Sequence, residues 1–323
     1  MGNTASGWRP NMAEHGPPLY ILLLGGSGQV GTEWRRLWTH DGASTLVQAP
    51  SREDLDLADS QAVRDWVLLH RPQLIVNAAA YTAVDKAESE TELARALNAT
   101  LPTVLAQSAH AVGASLIHYS TDYVFAGTGA QPHREDDPVQ PLSVYGKTKA
   151  QGEDGIRQHL KRHLILRTSW VMGPHGGNFL KTMLRLAAER DTLRVVADQV
   201  GVPTTARLLA HMGWRAWQHC MARESTACDT APWGLYHLAP RGETHWCDYA
   251  RLVLSEALAR GWPLKAGAKH ITPITTADYP TPAQRPLNSR LDVSHFEQTF
   301  GVILPAWQAG VQSTLDELRS TAA

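Results

Sequence analysis

The chain predicts an α/β fold in which a doubly wound parallel sheet is followed by a smaller C-terminal domain. Three observations predict it. An apolar run, Leu19–Leu24, passes straight into a glycine-rich turn and a helical stretch. Strand-like and helix-like segments then alternate, which is the rhythm of parallel strands joined by crossover helices. Residues suited to redox chemistry fall at the carboxyl ends of the strands, where open α/β sheets bind their ligands.

Taken in order, Leu19–Leu24 is short enough for a buried strand, and Thr32–Leu37 reads as helix. Between them lies Gly25-Gly26-Ser27-Gly28-Gln29-Val30-Gly31. Glycines at Gly25, Gly28 and Gly31 permit a tight turn, close approach of backbone to a pyrophosphate, and close packing of helix on strand. The helix N-terminus then faces the phosphates. This context of strand, turn and helix predicts a Rossmann-like dinucleotide site. Next come a strand at Thr45–Gln48, a helix capped near Asp59 or Ser60 with Val63, Trp66 and Val67 on one face, and a strand at Leu74–Asn77. Helices over Ala83–Ala96 and Pro102–Val112, a strand at Ser115–Ser120 and another at Leu164–Leu166 complete the pattern. The expected organisation is a tail over 1–18, a dinucleotide-binding domain over 19–172 with a returning segment near 234–240, and a mainly substrate-binding domain over 173–323.

With 323 residues, 43% of them hydrophobic, the chain can bury a large core. Its formal net charge of −1 offers no basic field for nucleic acid, and no apolar run reaches the 18 or so residues of a membrane span. Cys220, Cys228 and Cys247 are odd in number and lack C-x-x-C spacing, so neither a disulfide framework nor a zinc site is expected, and a reducing cytoplasm is the default. Fifteen histidines form no H-E-x-x-H array and read as surface and core residues. Residues 1–18 mix Gly, Asn, Ser and Pro without an apolar h-region, as a flexible tail would rather than a signal peptide.

Tyr145 and Lys149 lie four residues apart in Ser143-Val144-Tyr145-Gly146-Lys147-Thr148-Lys149, on one face of a predicted helix. A cation held near a phenol favours the phenolate and lowers a pKa of about 10, making the tyrosine a usable proton donor near neutrality. That is the chemistry of carbonyl and alcohol redox. Three strand ends supply further groups: Asn77–Thr82, whose small residues let a cofactor lie flat against the backbone; Ser120–Phe125, whose hydroxyls can bond a carbonyl oxygen; and Arg167–Val171.

These residues carry a resemblance to the extended short-chain dehydrogenase/reductase family, in its branch of nucleotide-sugar ketone reductases. It runs from Leu22 to about Thr314, through Gly25–Gly31, Val76–Glu88, Ser120–Phe125, Tyr145–Lys149, Arg167–Trp170, Asp198-Gln199-Val200-Gly201-Val202-Pro203-Thr204, Gly234–Leu238 and Arg285-Pro286-Leu287-Asn288-Ser289-Arg290-Leu291. The resemblance implies that Tyr145 is the general acid, that Lys149 lowers its pKa and holds the nicotinamide ribose, and that Thr121 hydrogen-bonds the reacting carbonyl. Thr82, Asp122 and Trp170 would line the sugar site, with Gly28, Gln29 and Val30 along the pyrophosphate. Asp56 and Leu57 would sit by the adenine, and Ala80, Tyr81 and Tyr119 by the nicotinamide half. The implied reaction reduces the C4 ketone of a dTDP-sugar, dTDP-4-dehydro-β-L-rhamnose. A related ketoreductase or epimerase and a non-catalytic regulatory subunit are the alternatives; Asp198–Thr204 argues against the first and the presence of both Tyr145 and Lys149 against the second.

The acidic residue with which NAD-specific folds grip the ribose hydroxyl is expected about twenty positions past the glycine turn, and the chain offers Ala49-Pro50-Ser51-Arg52 there, with Glu53 and Asp54 only immediately after. Ser51 and Arg52 stand near there instead, so NADPH is expected to be preferred and NADH accepted. Some members of the group are dimers bridged by a metal between glutamates. Glu33 matches one such position, whereas Arg207 and Gln308 are taken to occupy the other two. A charged arginine has no lone pair to offer a cation. No structural metal is expected, and the chain should be a monomer or a homodimer built without one, with Glu33 favouring its helix N-terminus or pairing with a neighbouring arginine.

Overall fold

A computed structural model describes residues 19–40, 45–225 and 231–322. The predicted tail over 1–18 and Cys228 lie outside the described residues. The first half runs β1 (Leu19–Leu24), α1 (Gln29–His40), β2 (Thr45–Gln48), α2 (Ser60–His70), β3 (Leu74–Asn77), α3 (Val84–Ala87), α4 (Thr91–Arg95), α5 (Leu101–Val112), β4 (Ser115–Thr121), α6 (Val144–His159) and β5 (His163–Thr168). The second half runs β6 (Val171–Met172), α7 (Phe179–Glu189), β7 (Leu193–Val196), β8 (Val200–Gly201), β9 (Thr204–Thr205), α8 (Ala206–Ser225), β10 (Gly234–His237), β11 (Thr244–His245), α9 (Trp246–Ala259), β12 (Ile271–Ile274), α10 (Ser294–Phe300) and α11 (Trp307–Ala322).

Six strands form one parallel sheet in the order β2-β1-β3-β4-β5-β10. Every residue of β3, β4 and β5 is buried, as strands covered by helices on both faces require. The side-chain period of two divides β1 between two cores. Ile21 and Leu23 pack with Trp34 of α1 and Leu209 and Ala210 of α8; Leu22 and Leu24 pack with Val63 and Val67 of α2, Leu105 of α5 and Ile156 of α6. Asp59 caps α2 by accepting from the Gln61 and Ala62 amides at 2.9 and 3.0 Å. Trp66, expected on the buried face, is only half-buried and donates from Nε1 to Gln48 Oε1 at 3.2 Å.

The single helix expected over Ala83–Ala96 is two. The carbonyl of Lys86 accepts both the Ser89 and Glu90 amides, which closes α3. Beyond α4, the chain widens into a π turn over Ala96–Thr100 before α5 begins. That turn carries Asn98, fully buried and tied to another loop.

Strand order reverses between β1 and β3, which creates a crevice beyond their carboxyl ends. A second core joins α7, α9 and α11 through Leu180, Leu184, Tyr249, Val253, Val311 and Leu315. Short two-strand pairings of β7 with β12, β8 with β11 and β6 with β9 tie this part together. No helix among the described residues is long and apolar enough to cross a membrane.

Candidate active site

The glycine turn sits at the reversal point, and its glycines are required by space. Gly25 has φ +76, and a Cβ there would come within 2.6 Å of the Ala79 nitrogen, in the loop after β3. A Cβ on Gly31 would reach to 2.1 Å of the Gly25 carbonyl oxygen. The Gly28 amide closes the turn by donating to Gly25 O at 3.0 Å. Helix α1 therefore starts at Gln29, with Gln29 and Val30 half-buried in its first turn and its free amides directed into the crevice. This cradle fits the pyrophosphate of a dinucleotide.

The loop after β3 forms the crevice's other wall. Its path is held by Asn98, which accepts from the Tyr81 amide at 2.9 Å and donates to the Tyr81 carbonyl at 3.0 Å. Ala80 and Tyr81 are half-buried and Thr82 is exposed. In the loop after β2, Ser51 is engaged by Asp54, whose Oδ2 accepts its amide at 2.8 Å and its hydroxyl at 2.7 Å. Arg52 is exposed and free of ion pairs among the described residues. Asp56 accepts the Ala58 amide at 2.9 Å, and Leu57 packs inward beside Leu55.

Helix α6 brings Tyr145 and Lys149 to this crevice. Ser143 caps it, accepting from the Gly146 amide at 3.2 Å. Gly146 lets the helix start against the loop after β4, since a Cβ there would meet the Tyr123 carbonyl oxygen at 2.1 Å. The Tyr145 ring meets Tyr123 edge-on at 5.5 Å between centroids, and its phenol lies near enough to the Thr121 hydroxyl to feel it. Thr121 donates to Asp122 Oδ1 at 3.0 Å. Burial raises the Asp122 carboxyl to about 6, against the lowering effect of the Ser289 and Thr121 hydroxyls. Its Oδ2 is buried without a hydrogen-bond partner among the described residues. Trp170 stands nearby with φ +44, its ring stacked on Trp246 at 3.6 Å between centroids.

Two expectations need correction here. Burial raises the Tyr145 phenol above its ordinary value, although the nearby Thr121 hydroxyl opposes this. Lys149 does not lower it in this structure, because its amino group is turned the other way. Nζ donates to the Tyr119 carbonyl at 2.5 Å and meets His118 Nε2 at 3.1 Å. Burial brings Lys149 down to about 8, with Glu153 pulling it up. The second correction concerns Tyr119, expected beside the nicotinamide. Strand alternation sends its ring into the core, where its hydroxyl accepts from Trp34 Nε1 at 2.8 Å and donates to the Leu209 carbonyl at 2.9 Å. Only its main-chain carbonyl serves the site.

Behind Lys149, Glu153 and Arg167 form a bidentate pair at 2.9 and 2.6 Å, each 1% exposed. Ser120 donates to Glu153 Oε1 at 2.5 Å. This clamp fastens α6 to β4 and β5. Glu153, Asn98 and His118 are site residues that motif reading overlooked. The available signals were polar residues inside apolar segments: His118 within a buried strand, Arg167 after Leu164-Ile165-Leu166, and Glu153 one helical turn past Lys149.

The metal expectation also changes. Gln308 is exposed and stays apart, whereas Glu317 of α11 joins Glu33 and His175, their ligand-type atoms all within 4.8 Å of one another. The number of carboxylates inferred from sequence is therefore too low. Both glutamates are taken up by arginines. Arg36 pairs with Glu33 at 3.1 Å and Arg207 with Glu33 at 3.2 Å, and both arginines also grip Glu317. Pairing of Glu33 with arginine is as expected.

A glycine cradle at the sheet's reversal point, a tyrosine and lysine one helical turn apart, and a threonine hydroxyl beside the tyrosine define a nicotinamide-dinucleotide-dependent reductase of the short-chain type. The sequence comparisons narrow this. Residues 19–320 match the family model described as RmlD substrate binding domain. The chain is 47% identical over 304 residues to dTDP-4-dehydrorhamnose reductase of Escherichia coli (strain K12), covering 94% of this chain and 99% of that protein. It is similar to a dTDP-4-dehydrorhamnose reductase from Clostridium acetobutylicum, with TM-score 0.82 and 35% identity over 93% of this chain and 99% of that one. The Bacillus anthracis reductase, solved in complex with NADP, gives TM-score 0.81 at 29% identity, again over 93% and 99% of the two chains. The chain belongs to the dTDP-4-dehydrorhamnose reductase family.

Proposed function

We propose that this protein reduces the C4 ketone of dTDP-4-dehydro-β-L-rhamnose to dTDP-β-L-rhamnose, using NADPH in preference to NADH, as a cytoplasmic enzyme of nucleotide-sugar synthesis. The observation that carries the reading is the placing of Tyr145 beside the Thr121–Asp122 hydrogen bond at the end of β4, backed by buried Lys149. A bound reduced nicotinamide supplies the hydride to C4. Tyr145 delivers its phenolic proton to the ketone oxygen as the alcohol forms, and a pKa raised by burial keeps that proton in place until the oxygen becomes basic. Thr121 can turn its hydroxyl from Asp122 to the same oxygen. Lys149 lies one helical turn behind Tyr145, and its amino group would stabilise the phenolate left behind by turning from the Tyr119 carbonyl towards it.

The preference for NADPH is supported by the free guanidinium of Arg52 in the loop after β2 and by the NADP-bound relative. The exposed loop carrying Thr82 and the strained Trp170 offer walls for the sugar. The protein is read as a monomer or a homodimer formed without a bridging metal.

Turnover of synthetic dTDP-4-dehydro-L-rhamnose with NADPH and with NADH tests this. Consumption of either cofactor with formation of dTDP-L-rhamnose is expected, with kcat/KM higher for NADPH. Absence of turnover with this ketone, while another nucleotide-sugar ketone is reduced, would move the assignment to a related ketoreductase. An Arg52→Ala variant with an unaltered NADPH to NADH ratio would remove Arg52 from cofactor selection.

A further inference from the structure

His118 lies at the centre of a buried hydrogen-bond chain whose protons cannot all be placed while Lys149 is an ammonium. Three groups fix the count. The Ala79 amide donates to Asn77 Oδ1 at 3.2 Å, so Asn77 must present its Nδ2–H groups to His118 Nδ1, 3.0 Å away. Buried His118 is held neutral, its pKa pushed well below the usual value by desolvation and by the Lys149 charge. It therefore has one N–H and one lone pair. With the lone pair on Nδ1 facing Asn77, the proton must be on Nε2, pointing at Lys149 Nζ 3.1 Å away. A donor there requires a lone pair on Nζ, which an amine has and an ammonium lacks. The Tyr119 carbonyl accepts from Nζ in either state.

Protonating Lys149 thus forces a rearrangement. His118 must move its proton to Nδ1 to offer the ammonium a lone pair, and Asn77 must then turn its amide so that Oδ1 accepts from Nδ1. That turn withdraws Oδ1 from the Ala79 amide, in the loop that walls the crevice.

We propose that Asn77 and His118 are positioning residues that act through Lys149 as a tautomeric switch: His118 carries its proton on Nε2 when Lys149 is an amine and on Nδ1 when Lys149 is an ammonium. The other groups facing Lys149 are Glu153 on its own helix and the Tyr119 carbonyl on β4, its amino group being turned away from Tyr145. Glu153 is committed to Arg167 and Ser120 and makes no contact with Nζ. The role of the switch in proton delivery to Tyr145 rests on the reductase reading; its existence does not.

The test uses the full-length protein without cofactor or substrate, labelled with ¹⁵N in histidine and ¹³Cε in lysine. Ring ¹⁵N shifts followed from pH 6 to pH 10 should show His118 neutral throughout while it changes from Nδ1–H to Nε2–H. The midpoint should coincide with that of the Lys149 ¹³Cε, near about 8. Asn77→Asp places an acceptor-only carboxylate against Nδ1, so it should lock the Nδ1–H tautomer and raise the Lys149 midpoint by about one unit or more. The His118 signals are assigned by their loss in His118→Gln. Should a variant fail to fold, neutron diffraction from crystals at pD 6.5 and 9.5 locates the deuteron on the ring directly. One tautomer across the whole range, or Lys149 titrating while His118 stays unchanged, overturns the switch. As no turnover is measured, a failed switch leaves the reductase reading intact, and a failed reductase assay leaves the switch standing.

Discussion

The charges behind Tyr145 and the ion pairs around Glu33 use the same residue types and differ in what is left for water to do. Around Glu33, Arg36 and Arg207 meet both carboxylates, and the two arginines are 42% and 44% exposed. Glu33 is itself only 3% exposed, but solvent reaches both of its arginine partners, which screens the pairs and leaves each worth little. Around Tyr145, Lys149, Glu153, Arg167, Thr121 and Asp122 are all buried. There the Arg167–Glu153 pair is complete, but Asp122 has an unpartnered oxygen and Lys149 shares its donors with a histidine. Burial with incomplete pairing moves pKa values towards neutrality, which acid–base chemistry uses. Burial with complete pairing makes only a scaffold.

The largest effect that could break this contrast is at Tyr145. Tyr145→Phe deletes the proton donor and should lower turnover by about 10²- to 10⁴-fold with the melting temperature nearly unchanged. A variant retaining a third of the parent rate would return Tyr145 to the helix surface.

Arg167→Leu leaves Glu153 buried without its cation and should destabilise the fold by about 3–5 kcal/mol in urea unfolding. The double variant Arg167→Leu/Glu153→Leu should recover much of that loss. If the two single losses simply added, the pair would not be the coupled clamp described here.

Asp122 tests the titratable side of the comparison. Its folded pKa, raised to about 6 by burial from 3.8, means that the folded protein holds a proton which the unfolded chain has already released between those values. Stability is therefore complete below the unfolded value and is lost as pH rises through about 6, by at most about 3 kcal/mol. Asp122→Asn cannot ionise, so its stability relative to the parent should rise between pH 4 and pH 7. A constant difference over that range would show that the carboxyl is not raised.

The smallest effects belong to the exposed cluster. Arg207→Ala should cost no more than about 1 kcal/mol and less in high salt. EDTA should leave both activity and particle mass unchanged, because arginines already neutralise Glu33 and Glu317. Loss of activity or a change of mass in EDTA would mean that a cation competes successfully with Arg36 and Arg207.

Local patterns in the chain were sufficient for the first strand, the glycine turn, the cap at Asp59 and the placing of Tyr145 and Lys149 on one helical face. Each depends on neighbours within about four residues, where period, capping and backbone sterics operate. Contacts between distant segments were not legible in that way. Lys149 meets His118 thirty-one positions away, and Arg207 meets Glu317 across 110. The sequence by itself determined a dinucleotide fold with a tyrosine–lysine pair at the end of its strands. Only the tertiary structure decided that Tyr119 turns its ring into the core, that Glu317 replaces Gln308 beside Glu33, and that Lys149 faces a histidine. The physical reason is that charge state and hydrogen-bond partner depend on burial and distance, and both are set by which elements pack together.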